Sequence, residues 1–136
     1  MQIDAVWTVE PWVSRLELLA DGKVLIEEKN TITTLLVSST RFLTSKPDLA
    51  RRFVAAHREL TEWIHNNPVE AQRMITEELL ASFNTKLSAV LLTNAWGRIK
   101  VTNDVSLMAL QTFLERAKQA GFIQAVPSLS PLVVTP

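Results

Sequence analysis

The segment Ile3–Trp12, IDAVWTVEPW, decides how the rest of this chain is interpreted. Its centre, Ala5–Val9, is short, β-branched and aromatic, which is typical of a buried strand. Pro11 has the fixed φ angle of a first helical position, so a helix is predicted to follow it directly. A strand that is apolar on both faces needs neighbouring strands, and residues 1–12 leave no room for one before it. We therefore expect an α/β fold and a chain that is the back part of something larger.

Composition excludes several classes of function. The chain has 136 residues, of which 47% are hydrophobic and 21% charged, as expected for one globular domain. Its 14 basic and 14 acidic side chains cancel, so the positive patch that binds nucleic acid is not expected. No apolar run reaches the roughly 18 residues of a membrane span, and no export signal is present at the N-terminus of this chain. The lack of cysteine excludes disulfides and thiolate metal sites.

Two more strands are predicted after the first helix. The helix occupies residues 12–20 and is expected to stop at Asp21-Gly22, because Asp tolerates left-handed backbone geometry. Lys23–Glu27 and Thr33–Ser39 are the strand candidates, with a polar stretch between them. The predicted order is therefore strand, helix, strand, strand, and then helices.

Capping residues and apolar spacing predict four further helices. Ser45 and Asn67 are each followed three residues later by a carboxylate, the pattern of a capping box. A third helix is expected at about Lys86–Arg98, and a fourth begins near Asn103 and stops at Gly121. The first of the four should bury a stripe at steps of three and four, formed by Leu49, Phe53, Ala56, Leu60 and Trp63. Comparable stripes on the next two include Ala71, either Val90 or Leu91, and Ala95.

No catalytic or metal-binding motif is found. His57 and His65 would lie about 80° apart around one helix, so they cannot share a metal ion, and surface positions are favoured for both. Nucleophile elbows and glycine-rich phosphate loops are absent from a chain with three glycines. We therefore predict no catalytic residue, no metal site and no cofactor.

The tryptophans divide into two pairs. Trp63 and Trp96 fall on or beside helical apolar stripes, so core packing is favoured for them. Trp7 and Trp12 bracket the end of a strand and the first turn of a helix, where open α/β sheets bind ligands and where backbone donors favour an anion. Glu10 either caps that helix or contributes to a ligand site, and capping is the favoured role.

Five blocks of this sequence resemble the substrate-binding proteins of ABC importers, in the aliphatic sulfonate, nitrate and taurine group. The first block matches the group's pattern DAAWVPEPWxxRL, and the block from residue 46 matches HPDLVKRFLxAHxEATxWINANPEEA. The five follow in the family's order over residues 3–123, which makes the resemblance specific. They are Ile3–Leu16, Gly22–Leu25, Thr33–Leu43, Lys46–Ala71 and Arg98–Phe122.

The resemblance implies the C-terminal part of a type II periplasmic binding protein, in which two α/β lobes close on a ligand. Residues 1–28 would form the end of the second lobe, as strand, helix and strand. Residues 29–33 would be the hinge crossover, and residues 34–123 the mostly helical C-terminal part of the first lobe. Residues 124–136 are expected to be an extended or disordered tail.

The resemblance also implies a function. The chain would be the solute-binding component of an ABC importer, or a fragment of one, for a small oxyanion such as an alkanesulfonate. It would deliver the ligand to the permease subunits without catalysis, in the periplasm or at the cell surface. The ligand-binding residues carried over by the matching blocks are Trp7, Glu10, Pro11, Trp12, Thr33 and Thr34.

Two other classes of protein compete with this interpretation. The chain could be a small α-helical interaction module whose segment Ile3–Thr40 pairs with a second copy, giving a homodimer by strand exchange. An enzyme of the related pyrimidine-precursor type would need a histidine and a cofactor site in the cleft. His57 and His65 are predicted on a lobe-covering helix instead, which disfavours the enzyme.

Overall fold

The computed structural model describes residues 3–29, 31–84, 86–130 and 132–133, and more than half of them are helical. The helices are, in order, α1 (Trp12–Leu19), α2 (Thr40–Ser45), α3 (Pro47–Asn66), α4 (Pro68–Phe83), α5 (Ala89–Arg98) and α6 (Leu107–Gln119). None of the helices in these ranges is long and apolar enough to cross a membrane.

The predicted α/β fold is wrong, because no described residue lies in a strand. The three strand candidates, Ala5–Val9, Lys23–Glu27 and Thr33–Ser39, are irregular. Their apolar side chains remain in solvent, with Leu25 81% and Val37 80% exposed. β-Branched and aromatic residues favour a strand only where a neighbouring strand supplies hydrogen bonds and packing, and the described residues supply none. The strands predicted for both lobes are therefore absent.

The helical predictions are confirmed for α1 and for the four helices α3 to α6. In α1 the chain leaves the helix where predicted, since Asp21 has a φ of 50°. The backbone N–H of Gly22 then donates to the carbonyl of Leu16 at 3.0 Å, which satisfies one of the last helical carbonyls. Near the C-terminal end of the sequence, Gly121 has a φ of 80°, two residues after α6 ends.

The predicted capping boxes are not formed. Ser45 is the last residue of α2, a helix that the sequence did not predict, and α3 begins at Pro47. Asn67 does occupy the N-cap position of α4, but its side chain makes no capping bond and donates to the carbonyl of Trp63 at 2.9 Å. Serine side chains cap the N-termini of other helices, as Ser88 does by accepting from the backbone N–H of Leu91 at 3.2 Å.

The chain divides into two units, each described by itself. The first unit contains the chain up to Glu27 together with Leu60–Thr102, and the second contains Glu28–Glu59 together with the chain from Asn103. Helix α3 contributes residues to both units. The predicted hinge at residues 29–33 and the tail at 124–136 stay predictions, and Asn30 lies outside the described residues.

In the first unit α1 contacts α5. The most deeply buried side chains of these helices are small, and Ser14 has 0% exposure. Leu91 and Ala95 of α5 and Ala71 of α4 are buried as predicted. The apolar stripe predicted on α3 is not buried, because Leu49, Phe53 and Leu60 are each at least half exposed. Apart from Leu91, the buried apolar side chains of the described residues are thus alanines, and many large apolar side chains remain at the surface.

In the second unit, two polar contacts join distant parts of the chain. The guanidinium of Arg116 on α6 donates to the Glu28 carboxylate at 2.7 Å. A ring nitrogen of His57 lies 3.2 Å from the side-chain oxygen of Asn103.

Candidate functional site

The N-terminal segment and α1 form a depression of about 370 Å³ in the first unit, and it is open to solvent. We call it the apolar cavity, because only two of its lining residues carry polar side chains, Thr8 and Arg15. Its volume lies at the lower end of the range of small-molecule sites. The lining residues are Ile3, Val6, Thr8, Trp12, Arg15, Leu16, Leu19 and Ala20.

Arg15 is the cation of the apolar cavity. Its position one helical turn after Trp12 places the guanidinium carbon 5.5 Å from the centroid of the indole ring, within the range of a cation–π contact. No carboxylate of the described residues pairs with Arg15, and none lines the cavity. The rim of the cavity therefore presents a positive charge that is available to an anion.

Glu10 occupies the N-terminus of α1. Its carboxylate is only 7% exposed and accepts a hydrogen bond from the backbone N–H of Ser14 at 3.2 Å. The second oxygen accepts from the guanidinium of Arg98 at 3.0 Å. The capping role favoured for Glu10 is confirmed, and its buried charge is neutralised by Arg98.

Arg98 connects α5 to α1 through two carboxylates. In addition to Glu10, its two terminal nitrogens donate to the two oxygens of Glu17 at 2.6 and 3.2 Å. The hydrogen bonds to Glu17 and then to Glu10 raise the pKa of Arg98, although desolvation opposes this. The same hydrogen bond lowers the pKa of the Glu17 carboxyl below its ordinary value, again against a smaller desolvation effect. Both terminal nitrogens of Arg98 therefore donate to carboxylates within the protein.

Ser14 lies in the first turn of α1, four residues after Glu10. Its backbone N–H is taken by Glu10, and its side-chain hydroxyl is fully buried without a hydrogen-bond partner among the described residues. Buried polar groups are usually satisfied, so an unpaired hydroxyl is unusual in a folded first turn. Helices α1 and α5 contact each other, and each contains a small, buried side chain, Ser14 in α1 and Ala95 in α5.

The sequence-predicted ligand residues are only partly brought together. Trp12 lines the apolar cavity, whereas Trp7 is 72% exposed and does not line it. Pro11 follows Glu10 through a cis peptide bond, and its carbonyl accepts from the backbone N–H of Arg15. Thr33 and Thr34 are exposed residues of the second unit. The ligand role predicted for all six residues stays a prediction.

His65 makes a hydrogen bond to the backbone. His65 lies 2.8 Å from the backbone carbonyl of Val101 through its Nε2 atom, which requires the proton on that nitrogen. It also lines a second cavity of about 300 Å³ beside Trp96. No group of His, Asp and Glu within the described ranges has the arrangement of a metal site.

Three charged residues of the site, Arg15, Glu17 and Arg98, were not identified from the sequence. Arg15 carried a local signal, because a cation three residues after a tryptophan on a helix can lie over its ring. The pairing of Arg98 with Glu10 spans 88 positions, and no periodicity or motif points to it.

Comparison with known proteins identifies the family. The sequence pattern of the NMT1-like family matches residues 1–81, which is more than half of the chain and includes α1 with the apolar cavity. The chain therefore belongs to the NMT1-like family, a family of periplasmic binding proteins related to the substrate-binding proteins of sulfonate and nitrate ABC importers. No curated protein and no solved structure matches it significantly.

Proposed function

We propose that this chain is the solute-binding component of an ABC importer, or a part of one, for a small oxyanion such as an alkanesulfonate. Its role is to bind the ligand and deliver it to the permease without catalysis, in the periplasm or at the cell surface. Membership of the NMT1-like family supports the binding class. The observation that carries the choice of an anion is the guanidinium of Arg15, placed over Trp12 without a carboxylate partner in the described part of the chain.

The ion pair of Glu10 with Arg98 reduces one objection to an anionic ligand. A carboxylate at the start of α1 would repel an oxyanion nearby, but Arg98 balances this charge at 3.0 Å. Arg98 is also shared with Glu17, so Glu10, Glu17 and Arg98 together keep one net negative charge. The preference for a negative ligand therefore rests on Arg15, which lines the apolar cavity, whereas neither carboxylate does.

Calorimetry tests this proposal directly. Methanesulfonate, taurine, nitrate and bicarbonate are titrated into the protein, and tryptophan fluorescence is recorded in parallel. We expect heat and a fluorescence change with at least one oxyanion, and a smaller fluorescence change in Trp12→Phe. The control is Trp96→Phe, which removes a tryptophan at the second cavity and should leave the binding heat unchanged. Absence of binding by every anion, including longer alkanesulfonates, would reject an oxyanion-binding function.

A homodimer is the second candidate, favoured by the exposed apolar residues of the N-terminal segment. Val6 is 54% and Trp7 72% exposed, and the segment is not paired with any described strand. Backbone of this kind can pair with a second copy. Light scattering after size-exclusion chromatography should then give twice the mass of 15.3 kDa, and Val6→Lys should return the monomer. A monomer at all concentrations would exclude this candidate.

A further inference from the structure

We propose that α3 is a dimerisation helix, and that an exposed apolar stripe along it packs antiparallel against the same stripe of a second copy of this chain. The stripe consists of Leu49, Phe53, Ala56 and Leu60, and we call it the α3 stripe. This surface is separate from the residues proposed to bind the solute. It is also separate from Val6 in the N-terminal segment, where the other candidate dimer contact lies.

The α3 stripe has the spacing of a coiled-coil seam. Its members follow one another at steps of four, three and four residues, which is the alternation of the two apolar positions in a heptad. A stripe with this period can pack against a second helix over its whole length. All four residues lie within one continuous helix, Pro47–Asn66, so no break interrupts the seam.

The described residues leave the α3 stripe exposed. Leu49 is 50%, Phe53 55% and Leu60 54% exposed, and Ala56 is exposed as well. Single apolar residues at a surface are normal, but a contiguous line of them marks an interaction site. An amphipathic helix with such a line is a common means of binding another protein.

The buried residues of α3 lie on a different face of the helix. Ala50 and Thr61 are buried, with 4% and 3% exposure. At about 100° per residue, these two positions lie about 100° around the helix from the middle of the α3 stripe. The stripe is therefore a second packing face, in addition to the one that α3 uses within the described part of its own chain.

Two charges beside the α3 stripe identify the partner as a second copy. Arg52 and Glu59 are exposed on the same edge of the stripe, and neither forms an ion pair with another described residue. In an antiparallel pair of α3 helices, Arg52 of each copy lies opposite Glu59 of the other, which gives two symmetric ion pairs. In a parallel pair this edge would meet His57 and Ile64, and neither complements it in charge.

The same register matches the side chains by size. Placing Arg52 opposite Glu59 of the second copy brings Leu49 against Leu60 and Phe53 against Ala56. The large ring of Phe53 then meets the smallest member of the stripe, so the two helices can approach closely. A shift by one heptad in either direction would place Glu59 beside Glu59, or Arg52 beside Arg52, of the second copy, and like charges repel. Charge and size therefore select one register.

The contact is small, so we expect a dimer that dissociates on dilution. Light scattering is recorded from about 10 μM to about 1 mM, the range in which a small interface associates. The average mass should rise from 15.3 kDa towards twice that value with increasing concentration. Phe53→Glu should remain a monomer throughout, because it places a charge in the centre of the apolar contact.

Arg52→Glu and Glu59→Arg test the ion pairs. Each variant has two like charges along the edge of the α3 stripe and should dimerise about tenfold more weakly. An equimolar mixture of the two should recover the dimer, because each copy then meets opposite charges. The matched control is a mixture of Arg58→Glu and Glu62→Arg, which has the same net charges but changes exposed residues on the opposite side of α3. The control variants should dimerise like the unmodified protein, alone and mixed.

Single cysteines test the register. The chain has no cysteine, so Leu49→Cys and Leu60→Cys can be oxidised with glutathione disulfide, separately and as a mixture. The mixture should form a disulfide-linked dimer, because Leu49 lies against Leu60 of the second copy and a disulfide needs close β-carbons. Neither variant alone should be crosslinked, and crosslinking of Leu49→Cys alone would show a parallel pair.

Each result either supports or overturns the α3 dimer. A monomer at all concentrations would overturn it, since the α3 stripe would then not bind a second copy. A dimer that is lost in Val6→Lys but kept in Phe53→Glu would assign the contact to the N-terminal segment instead. A mixture of the charge variants that associates no better than either alone would overturn the antiparallel register. Circular dichroism of each variant confirms that the helices are retained, and the solute-binding proposal stands whichever result is obtained.

Discussion

Glu10 is the residue at which local structure and the candidate site meet. Its carboxylate is buried, and it is stabilised by a backbone donor of its own helix and by a guanidinium from α5. A buried charge is tolerated only when it is paired and hydrogen-bonded. The position of the first turn of α1 therefore depends on Arg98, a residue that the chain supplies from the end of another helix.

Arg98→Ala should destabilise the protein through Glu10. The substitution leaves a carboxylate that is 7% exposed with one hydrogen bond from Ser14 and no opposite charge. Leaving such a group unsatisfied costs about 1–3 kcal/mol, and the lower part of that range is expected because Arg98 is itself 33% exposed. Urea unfolding followed by circular dichroism measures the change.

The control for this prediction is Arg73→Ala. Arg73 also bridges two carboxylates, Glu70 and Glu77, but all three lie on the exposed face of α4. Exposed pairs on one helix contribute little, so its effect should be much smaller. Equal destabilisation by the two variants would show that burial of Glu10 is unimportant.

Glu17 predicts the pH dependence of the same contact. Arg98 lowers the pKa of the folded carboxyl below its ordinary value of 4.5, so the unfolded chain binds the proton first as the pH falls. The stabilisation by this pair is therefore complete above about pH 4.5 and is lost at lower pH. The Glu17→Gln variant lacks this stabilisation at pH 7 and should have a lower urea midpoint than the unmodified protein. Because the unmodified protein also loses the stabilisation below about pH 4.5, the two midpoints should then approach each other.

A carboxyl outside the contact provides the comparison for the pH series. Glu59→Gln changes an exposed glutamate of α3 and should follow the unmodified protein across the whole range. If the difference in urea midpoint between Glu17→Gln and the unmodified protein stays constant down to pH 3, the stabilisation by Glu17 does not depend on the charge of its carboxyl, and the prediction is wrong.

At the scale of elements, local signals predicted five of the six described helices, missed α2 and failed for the strands. Pro11 and Asp21 bound α1 through their own backbone preferences, and these do not depend on distant residues. The segment Ala5–Val9 has strand composition, but a strand exists only with a pairing partner, which composition cannot supply. The same limit applies to the site, where Trp12 and Glu10 are neighbours in sequence and Arg98 is not.

Ser88→Ala tests how a cap supports the site. Its hydroxyl accepts from the backbone N–H of Leu91 at the start of α5, the helix that presents Arg98. Loss of a serine N-cap costs about 1 kcal/mol, and amide exchange in the first turn of α5 should accelerate. Ser82→Ala, the same change at an exposed position inside α4, should not reduce stability because alanine has the higher helix propensity. A smaller effect for Ser88→Ala than for Ser82→Ala would contradict the capping role.

At the scale of the whole molecule, each of the two units has ion pairs of its own. The first unit has the link from Arg98 to α1, and the second has the link from Arg116 of α6 to Glu28. Helix α3 contributes residues to both, so the units share covalent structure and one helix but none of these ion pairs. Perturbations at separate contacts usually add, and regions of a protein can open with different free energies.

Amide hydrogen exchange of Arg98→Ala tests whether the units open independently. We expect faster exchange in α1 and α5, where the ion pairs are lost, and unchanged exchange in α6 of the second unit. Arg116→Ala should give the reverse pattern, with the change confined to α6 and the residues around Glu28. Equal acceleration in α1, α5 and α6 by either variant would mean that exchange occurs through one global opening. The apolar cavity, which lies wholly within the first unit, would then depend on the stability of the entire chain rather than on Arg98 and its two carboxylates.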